Sequence, residues 1–407
     1  MKDYSTFIFD SYDFDAPSGE VRLRYSLDDE ISFTEIIEIP RGNRNKDNLE
    51  NTLFALHLAA GTSYFKTCCP KKIEIRSGSL SSDQAAFWNS VYENGLGEFF
   101  YQNKIDFTDL IDFPVVGNIP APKERPSNGR VLVPIGGGKD SIVTVEKLKA
   151  EGRDITLLRM GSHPLIDNMV SVMNLHCITV KRKLPRKLFE MNAQGALNGH
   201  IPITAVLSTL SVFIAEMFNF DEIAMSNEKS ANEGNVQYLG KEINHQWSKS
   251  AEFEKGFSTY IRTYINPNLK YKSLLRDMTE LEIVGEYVKH PQYFDCTTSC
   301  NANWRIAGKP GEPRWCGTCP KCTFVFALMA AHMKKDAVVN MFEKNIFENK
   351  STIPLFKQLL GIEGFKPFEC VGTPEETIQA FKMIKDRGEF NDTPVMKMYT
   401  ESLPPTP

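Results

Sequence analysis

The clearest pattern in the chain lies between residues 131 and 226, where short apolar runs alternate with stretches of helical period. Runs near 131–135, 155–160, 176–181 and 221–226 have the length and composition of buried strands. Stretches near 140–150, 166–174 and 202–218 have helical spacing. In the last of these, Ile203, Val206, Leu207, Leu210, Phe213, Ile214 and Met217 share a face that packs on a sheet. Strands separated by helices predict an α/β fold, with a parallel sheet, right-handed crossovers and helices on both faces. Ligands of such sheets sit at the carboxyl ends of the strands. Three segments should meet there: the glycines after Ile135, Met160-Gly161, and the polar run from Ser226.

Residues 1–120 read differently, as a separate α+β module. Residues 21–27 and 33–39 alternate with period two around Asp28-Asp29-Glu30, which predicts a hairpin. Leu49, Leu53, Phe54, Leu56 and Leu58 predict a helix ending at Ala60-Gly61, and a second helix runs from Ser82 to about Glu93. Gly61-Thr62-Ser63-Tyr64-Phe65-Lys66 between them is either a contact for an anionic substrate or a loop that packs its two aromatics. Residues 118–130 carry three prolines and a glycine and read as a linker. The expected organisation is an N-terminal domain over 1–120, a nucleotide-binding domain over 121–345 and a helical extension over 346–407.

Composition narrows the function classes. A net charge of −4 over 407 residues argues against a nucleic-acid or membrane-surface protein. The one basic run, residues 181–187, reads as a solvated loop before it reads as a phosphate patch. The N-terminus has no apolar targeting region, and the longest apolar stretch, 203–218, contains Glu216 and is too short for a membrane span. Nine unevenly spaced cysteines do not suit a secreted disulfide framework. The expectation is a soluble cytoplasmic protein.

The candidate chemistry starts at Gly136-Gly137-Gly138-Lys139-Asp140-Ser141. A strand, a glycine turn and a helix N-terminus make an anion site, because backbone N–H groups approach phosphate oxygens and the helix dipole favours negative charge. It is not a Walker A loop, since Val133 stands five before Gly138 and Asp140 follows Lys139. A dinucleotide fingerprint is also unsuited, because the next strand ends in Arg159-Met160-Gly161 without an acid.

Cys300, Cys316, Cys319 and Cys322 form the strongest metal signal. Cys316-Gly317-Thr318-Cys319-Pro320-Lys321-Cys322 sets three thiols on a tight knuckle, and four thiolates at such spacing suit closed, structural zinc. Cys296 is a spare that could replace Cys300. The alternatives are an iron–sulfur cluster or a redox pair. His200 precedes the helix at 202–218, where a side chain can face the ligand pocket. Residues 226–235 and 244–250 are polar segments that a surface loop explains, although the carboxyl end of a strand is where a functional loop would sit, and Glu369 and Cys370 in 366–372 could be structural or functional.

The order small-Gly-Gly-x-Asp-Ser resembles the PP-loop of the ATP-pyrophosphatase superfamily, with Gly136 where those enzymes usually have serine. That resemblance implies cleavage of ATP between its α- and β-phosphates. Gly136, Gly137, Gly138, Lys139, Asp140 and Ser141 would hold diphosphate with Mg2+, and Met160 and Gly161 would line the nucleotide site. A PP-loop domain with a late four-cysteine knuckle also resembles 7-cyano-7-deazaguanine synthase, which lacks the N-terminal module and the long C-terminal extension. The whole set of segments resembles the family of UDP-N-acetylmuramoyl-L-alanyl-L-glutamate epimerases. The set comprises residues 12–15, 61–66, 136–141, 198–204, 226–235, 244–250, 315–322 and 366–372. The resemblance implies a PP-loop α/β fold with a zinc knuckle, and ATP- and Mg2+-dependent inversion of a peptidoglycan precursor's terminal L-glutamate to D-glutamate through an acyl-adenylate. It also implies a UDP-N-acetylmuramoyl dipeptide as substrate, with no nucleic-acid or membrane partner. Inversion needs two proton-transfer groups or one mobile one, and His200, Lys229, His245 and Cys370 are the candidates. The rivals are an amide- or nitrile-forming ligase, a tRNA-modifying enzyme and a non-catalytic nucleotide binder.

Overall fold

The computed structural model describes residues 3–40, 49–117, 122, 124–125, 127–304 and 313–402. The strands are β1 (Thr6–Asp15), β2 (Glu20–Leu27), β3 (Ile31–Glu38), β4 (Lys72–Ile75), β5 (Val131–Pro134), β6 (Ile155–Met160), β7 (Cys177–Lys183), β8 (Glu222–Met225), β9 (Val236–Tyr238), β10 (Lys241–Ile243) and β11 (Lys270–Ser273). Nine of them form one sheet in the order β11-β8-β5-β6-β7-β3-β2-β1-β4, and β9 and β10 form a separate hairpin. The run β11-β8-β5-β6-β7 is parallel throughout, whereas β7, β3, β2 and β1 pair antiparallel. The fold is therefore α/β on a large, mostly parallel sheet.

Helices cover both faces because alternate side chains of each central strand feed different cores. Leu132 joins a core with the helices Leu49–Ala60, Ile203–Phe218 and Ala251–Tyr264. Val131 and Val133 point the other way, into a core with Lys139–Ala150, Glu280–Tyr287, Pro320–His332 and Pro374–Arg387. Strands buried on both faces need continuous apolar runs, which is what their sequence shows. Chain order sends β6 and β7 to one side of β5 and β8 and β11 to the other. The crevice outside the carboxyl end of β5 is thus a topological switch point, where ligands of such sheets bind.

The N-terminal strands continue this sheet. Ile36, Ile37 and Glu38 of β3 pair with Lys183, Arg182 and Lys181 of β7. The join is fixed by a buried charge pair: Arg182 Nε donates to Glu35 at 2.6 Å, its Nη2 to Ser63 Oγ at 3.1 Å, and Tyr64 Oη to Glu35 at 2.6 Å. The reading of residues 181–187 as a solvated loop is corrected here, since 181–183 are strand and Arg182 is held by Glu35. Residues 61–66 form a short helical turn, Thr62–Phe65, whose Tyr64 and Phe65 are fully buried. Gly61 is required there, because a Cβ would lie 2.5 Å from the Phe9 ring and 2.6 Å from Tyr92 Oη.

Candidate active site

The glycine turn lies at the switch point. Ile135 N–H still bonds to Leu158 of β6 at 2.8 Å, and the chain then leaves the sheet through Gly136, Gly137 and Gly138 into the helix at Lys139. Gly137 has φ +86°, a conformation that favours glycine. A Cβ on Gly137 would also lie 2.8 Å from the Trp304 ring, whereas one on Gly136 would meet nothing within 4 Å. The turn is thus open at Gly136 and covered at Gly137. Gly161, at the end of β6, has φ +86° and bonds Val180 at 2.7 Å, so Met160-Gly161 stands beside the same crevice.

Lys139 does not point outward as a free phosphate ligand. It is 1% exposed and its Nζ donates to Asp140 and to the buried Glu280. Burial opposes its charge, but Asp140 and Glu280 outweigh burial and keep it protonated. Lys321, at the start of the helix Pro320–His332, places its Nζ 4.0 Å from the other Glu280 oxygen. Asp140 is therefore held beside two lysines, with its carboxylate partly accessible at the helix N-terminus. Four buried polar atoms nearby in sequence or space have no hydrogen-bond partner among the described residues: Ser226 Oγ, Asn227 Nδ2, Ser230 Oγ and Glu280 Oε1. Buried groups of this kind are normally satisfied, so they mark a place where a polar ligand fits.

A second cluster gathers residues from four distant segments. His245 Nδ1 bonds Glu98, and His200 Nδ1 lies 3.4 Å from the same Glu98 oxygen. The two imidazoles are 4.6 Å apart. The Cys370 thiol shares the electrostatic environment of His245 and Lys249. Asn235 ties the loops together: its Oδ1 accepts from His245 N–H at 2.9 Å, and its Nδ2 donates to the carbonyls of Lys366 and Pro367 at 3.2 and 2.9 Å. Lys66, carried by the turn at 61–66, reaches Asn198 beside His200.

These surroundings separate the titrations. Burial, and then the charges of His245 and Lys66, push His200 down to about 3. Burial also works against charge on His245, but Cys370 and the hydrogen-bonded Glu98 raise it to about 9. For Cys370 burial opposes the thiolate, yet Lys249 and then His245 bring it down to about 6. At neutral pH the cluster holds a neutral imidazole, an imidazolium and a thiolate. Lys249 feels both Cys370 and Asp140, so this cluster and the glycine turn share one electrostatic environment.

Of the acid–base candidates, the structure brings His200, His245 and Cys370 together. It does not bring Lys229, which is exposed and has Glu282 as its charged neighbour. Lys249 occupies the place by Cys370. Its only sequence signal was membership of the polar run 244–250, and Glu98 had none, being one acid in an ordinary helix, Gly97–Asn103.

The four cysteines also converge. The sulfurs of Cys300, Cys316, Cys319 and Cys322 lie within 4.8 Å of one another, and those of Cys316 and Cys322 are 3.8 Å apart. Backbone N–H groups of Cys316, Thr318, Cys319 and Cys322 donate to sulfur at 3.3–3.4 Å, as they do around metal-bound thiolates. Cys296 stands outside this set, with its thiol directed to the Tyr293 carbonyl at 3.4 Å. Four sulfurs at these separations can hold a tetrahedral metal ion. No helix among the described residues is long and apolar enough to cross a membrane.

Comparison with known proteins gives the family of the chain. Residues 1–274 match the model of the MurL N-terminal domain, and residues 296–407 that of the MurL C-terminal domain. A UDP-N-acetyl-alpha-D-muramoyl-L-alanyl-L-glutamate epimerase from Xanthomonas oryzae pv. oryzae is 38% identical over 409 residues, covering 98% of this chain and 90% of the relative. Proteins of the same name from a Micromonospora species and from Salinispora tropica are each 34% identical over 416 residues. These alignments span 100% of this chain and 92% and 90% of the relatives. The chain belongs to the UDP-N-acetyl-alpha-D-muramoyl-L-alanyl-L-glutamate epimerase family.

Proposed function

We propose that this enzyme inverts the terminal glutamate of UDP-N-acetylmuramoyl-L-Ala-L-Glu at Cα, using ATP to activate the glutamate α-carboxyl as an acyl-adenylate. The observation that carries the reading is the cluster of Cys370, His245, Glu98 and His200 in the same electrostatic environment as the glycine turn. One end of such a site suits phosphate and the other suits proton transfer at carbon.

The chemistry explains why both ends are needed. A Cα–H beside a free carboxylate is a very weak acid, because its removal places a second negative charge next to the first. Joining the carboxylate to AMP removes that charge and leaves a carbonyl able to take up the electrons. In this reading the turn at Gly136, Gly137 and Gly138 and the N-terminus of the helix at Lys139 receive the departing diphosphate. Mg2+, when bound, would neutralise phosphate charge, with Asp140 as the residue placed to hold it. Lys139 and Ser141 position the turn: Lys139 fixes Asp140 through Glu280, and Ser141 Oγ returns to the Gly138 carbonyl at 3.2 Å. His200, neutral at working pH, suits removal of the Cα proton, and His245 suits its return. Zinc at the four cysteines would be structural, since all four ligand positions of a tetrahedral ion are filled by sulfur.

Asp140→Ala tests the phosphate end. Turnover should fall by about 100-fold or more with the fold intact. The products of the parent enzyme should be AMP and diphosphate. Formation of ADP and phosphate would contradict the assignment of the turn.

A further inference from the structure

The turn at 61–66 buries its two aromatics, yet its last residue, Lys66, is left without a counter-charge. Lys66 is 5% exposed. Its Nζ donates to Asn198 Oδ1, the one hydrogen-bond partner it has among the described residues. An amide oxygen carries no formal charge. The Cys69 thiol would favour the ammonium if ionised, but burial pushes that thiol up to about 12 and keeps it neutral. Burial accordingly brings Lys66 down to about 8. Other buried cations of the molecule are paired, Arg182 with Glu35 and Lys139 with Glu280. A buried ammonium with N–H groups to spare is costly until an anion joins it.

Lys66 is tied to the acid–base cluster by hydrogen bonds. Leu197 N–H donates to the Thr67 carbonyl at 3.0 Å, and Asn198 Oδ1 also accepts from Gly199 N–H at 3.0 Å. Asn103 Nδ2 donates to the Phe99 carbonyl at 2.8 Å and to the Asn198 carbonyl at 3.5 Å. The segment leading to His200 is thereby fastened between Lys66 and the helix Gly97–Asn103, which carries Glu98. One Glu98 oxygen already serves both His200 and His245. Lys66 therefore stands beside the cluster as a cation with no carboxylate of the protein's own.

We propose that Lys66 binds the γ-carboxylate of the terminal glutamate, and so selects glutamate and holds the plane of its Cα while the proton changes face. The assignment rests on the epimerase reading above. Once the α-carboxyl is joined to AMP, the γ-carboxylate is the anionic group left on that residue. Loss of the Cα proton makes Cα planar, with the carbonyl carbon, the nitrogen and Cβ in one plane. The carbonyl is held through AMP, and the nitrogen through the rest of the sugar-linked dipeptide. Cβ needs a third anchor, and a cation on the γ-carboxylate supplies it. The same three anchors serve the L and D residues, which differ in the side on which the hydrogen lies. A side chain ending in an amide would leave the buried ammonium without its counter-charge and be rejected.

The test compares UDP-N-acetylmuramoyl-L-Ala-L-Glu with its L-Gln-ended analogue, which lacks only the γ charge. Binding is measured by calorimetry, and Cα exchange in D2O with ATP and Mg2+, for the parent enzyme, Lys66→Met and Asn198→Asp. The parent should bind the Glu form at least about tenfold more tightly than the Gln form. Lys66→Met removes the cation, and Asn198→Asp gives it a counter-charge within the protein. Each should lose the preference by weakening the Glu form while leaving the Gln form little changed. A parent enzyme indifferent to the γ charge, or a preference unchanged in the variants, would overturn the assignment. Equal weakening of both forms would also overturn it, and would put the Lys66 contact on an anion elsewhere in the substrate, such as the UDP diphosphate. If the parent makes no D-Glu product from the Glu form, the epimerase reading itself fails, and the role of Lys66 with it.

Discussion

Cys370 meets two positive groups, Lys249 and the His245 imidazolium, and both favour its thiolate. The consequence is a bell-shaped dependence of kcat/KM on pH. As pH rises through about 6 the thiol loses its proton and activity climbs, and as pH rises through about 9 His245 loses the proton it must return and activity falls. Lys249→Met should move the acid limb upward, because the strongest charge favouring the thiolate is gone, and leave the alkaline limb in place. Rates unchanged across both limbs would contradict these roles. At this scale the sequence was legible where chemistry is local. Gly136 to Ser141 and Cys316 to Cys322 carry their spacing within a few residues. It was not legible where a side chain's partner lies far along the chain. Lys229 and Lys249 sit in similar polar runs, and only folding decides that Lys249 meets Cys370 and Lys229 meets solvent.

The strands and helices that the sequence announced differ from those formed only at their boundaries, because burial imposes a period on every turn of backbone, whereas β1 (Thr6–Asp15) and Ala251–Tyr264 were not announced. The helix at 49–60 and the strand at 155–160 appear as expected, and Thr373 caps Pro374–Arg387 with Glu376 in a capping box. Pairing between elements is another matter. Nothing in the period of residues 31–38 says that β3 will lie beside β7, since that choice is made by Arg182 and Glu35, far apart in sequence and buried together. Glu35→Ala leaves a buried guanidinium without its counter-charge. It should cost about 3–5 kcal/mol in urea unfolding, with Glu35→Gln milder. A loss below about 1 kcal/mol would show that the join does not depend on this pair. The cysteine knuckle is an element of the same kind, leading into Pro320–His332 with Cys319 as its N-cap. Elemental analysis should find about one zinc per chain, lost in Cys319→Ser together with a lowered Tm. Iron with a visible chromophore, or no metal at all, would contradict the zinc reading.

At the scale of the whole molecule, the proposed reading joins two kinds of chemistry in one site. The parallel half of the sheet supplies a switch point with a glycine turn, and the second cluster shares its electrostatic environment. Glu98 comes from the N-terminal region, His200 and His245 from the middle and Cys370 from the C-terminal region. The family models divide the chain between residues 274 and 296, so the site draws on both matched parts. That shared construction is why neither part read alone reveals an epimerase, and why fold class was legible from alternating strands and helices while the proton-transfer set was not. The most direct test is the fate of the Cα hydrogen. In D2O with ATP and Mg2+, UDP-N-acetylmuramoyl-L-Ala-L-Glu should gain deuterium at the glutamate Cα and emerge as the D-Glu epimer, with AMP and diphosphate released. Consumption of ATP with the L configuration retained and no deuterium at Cα would contradict the account.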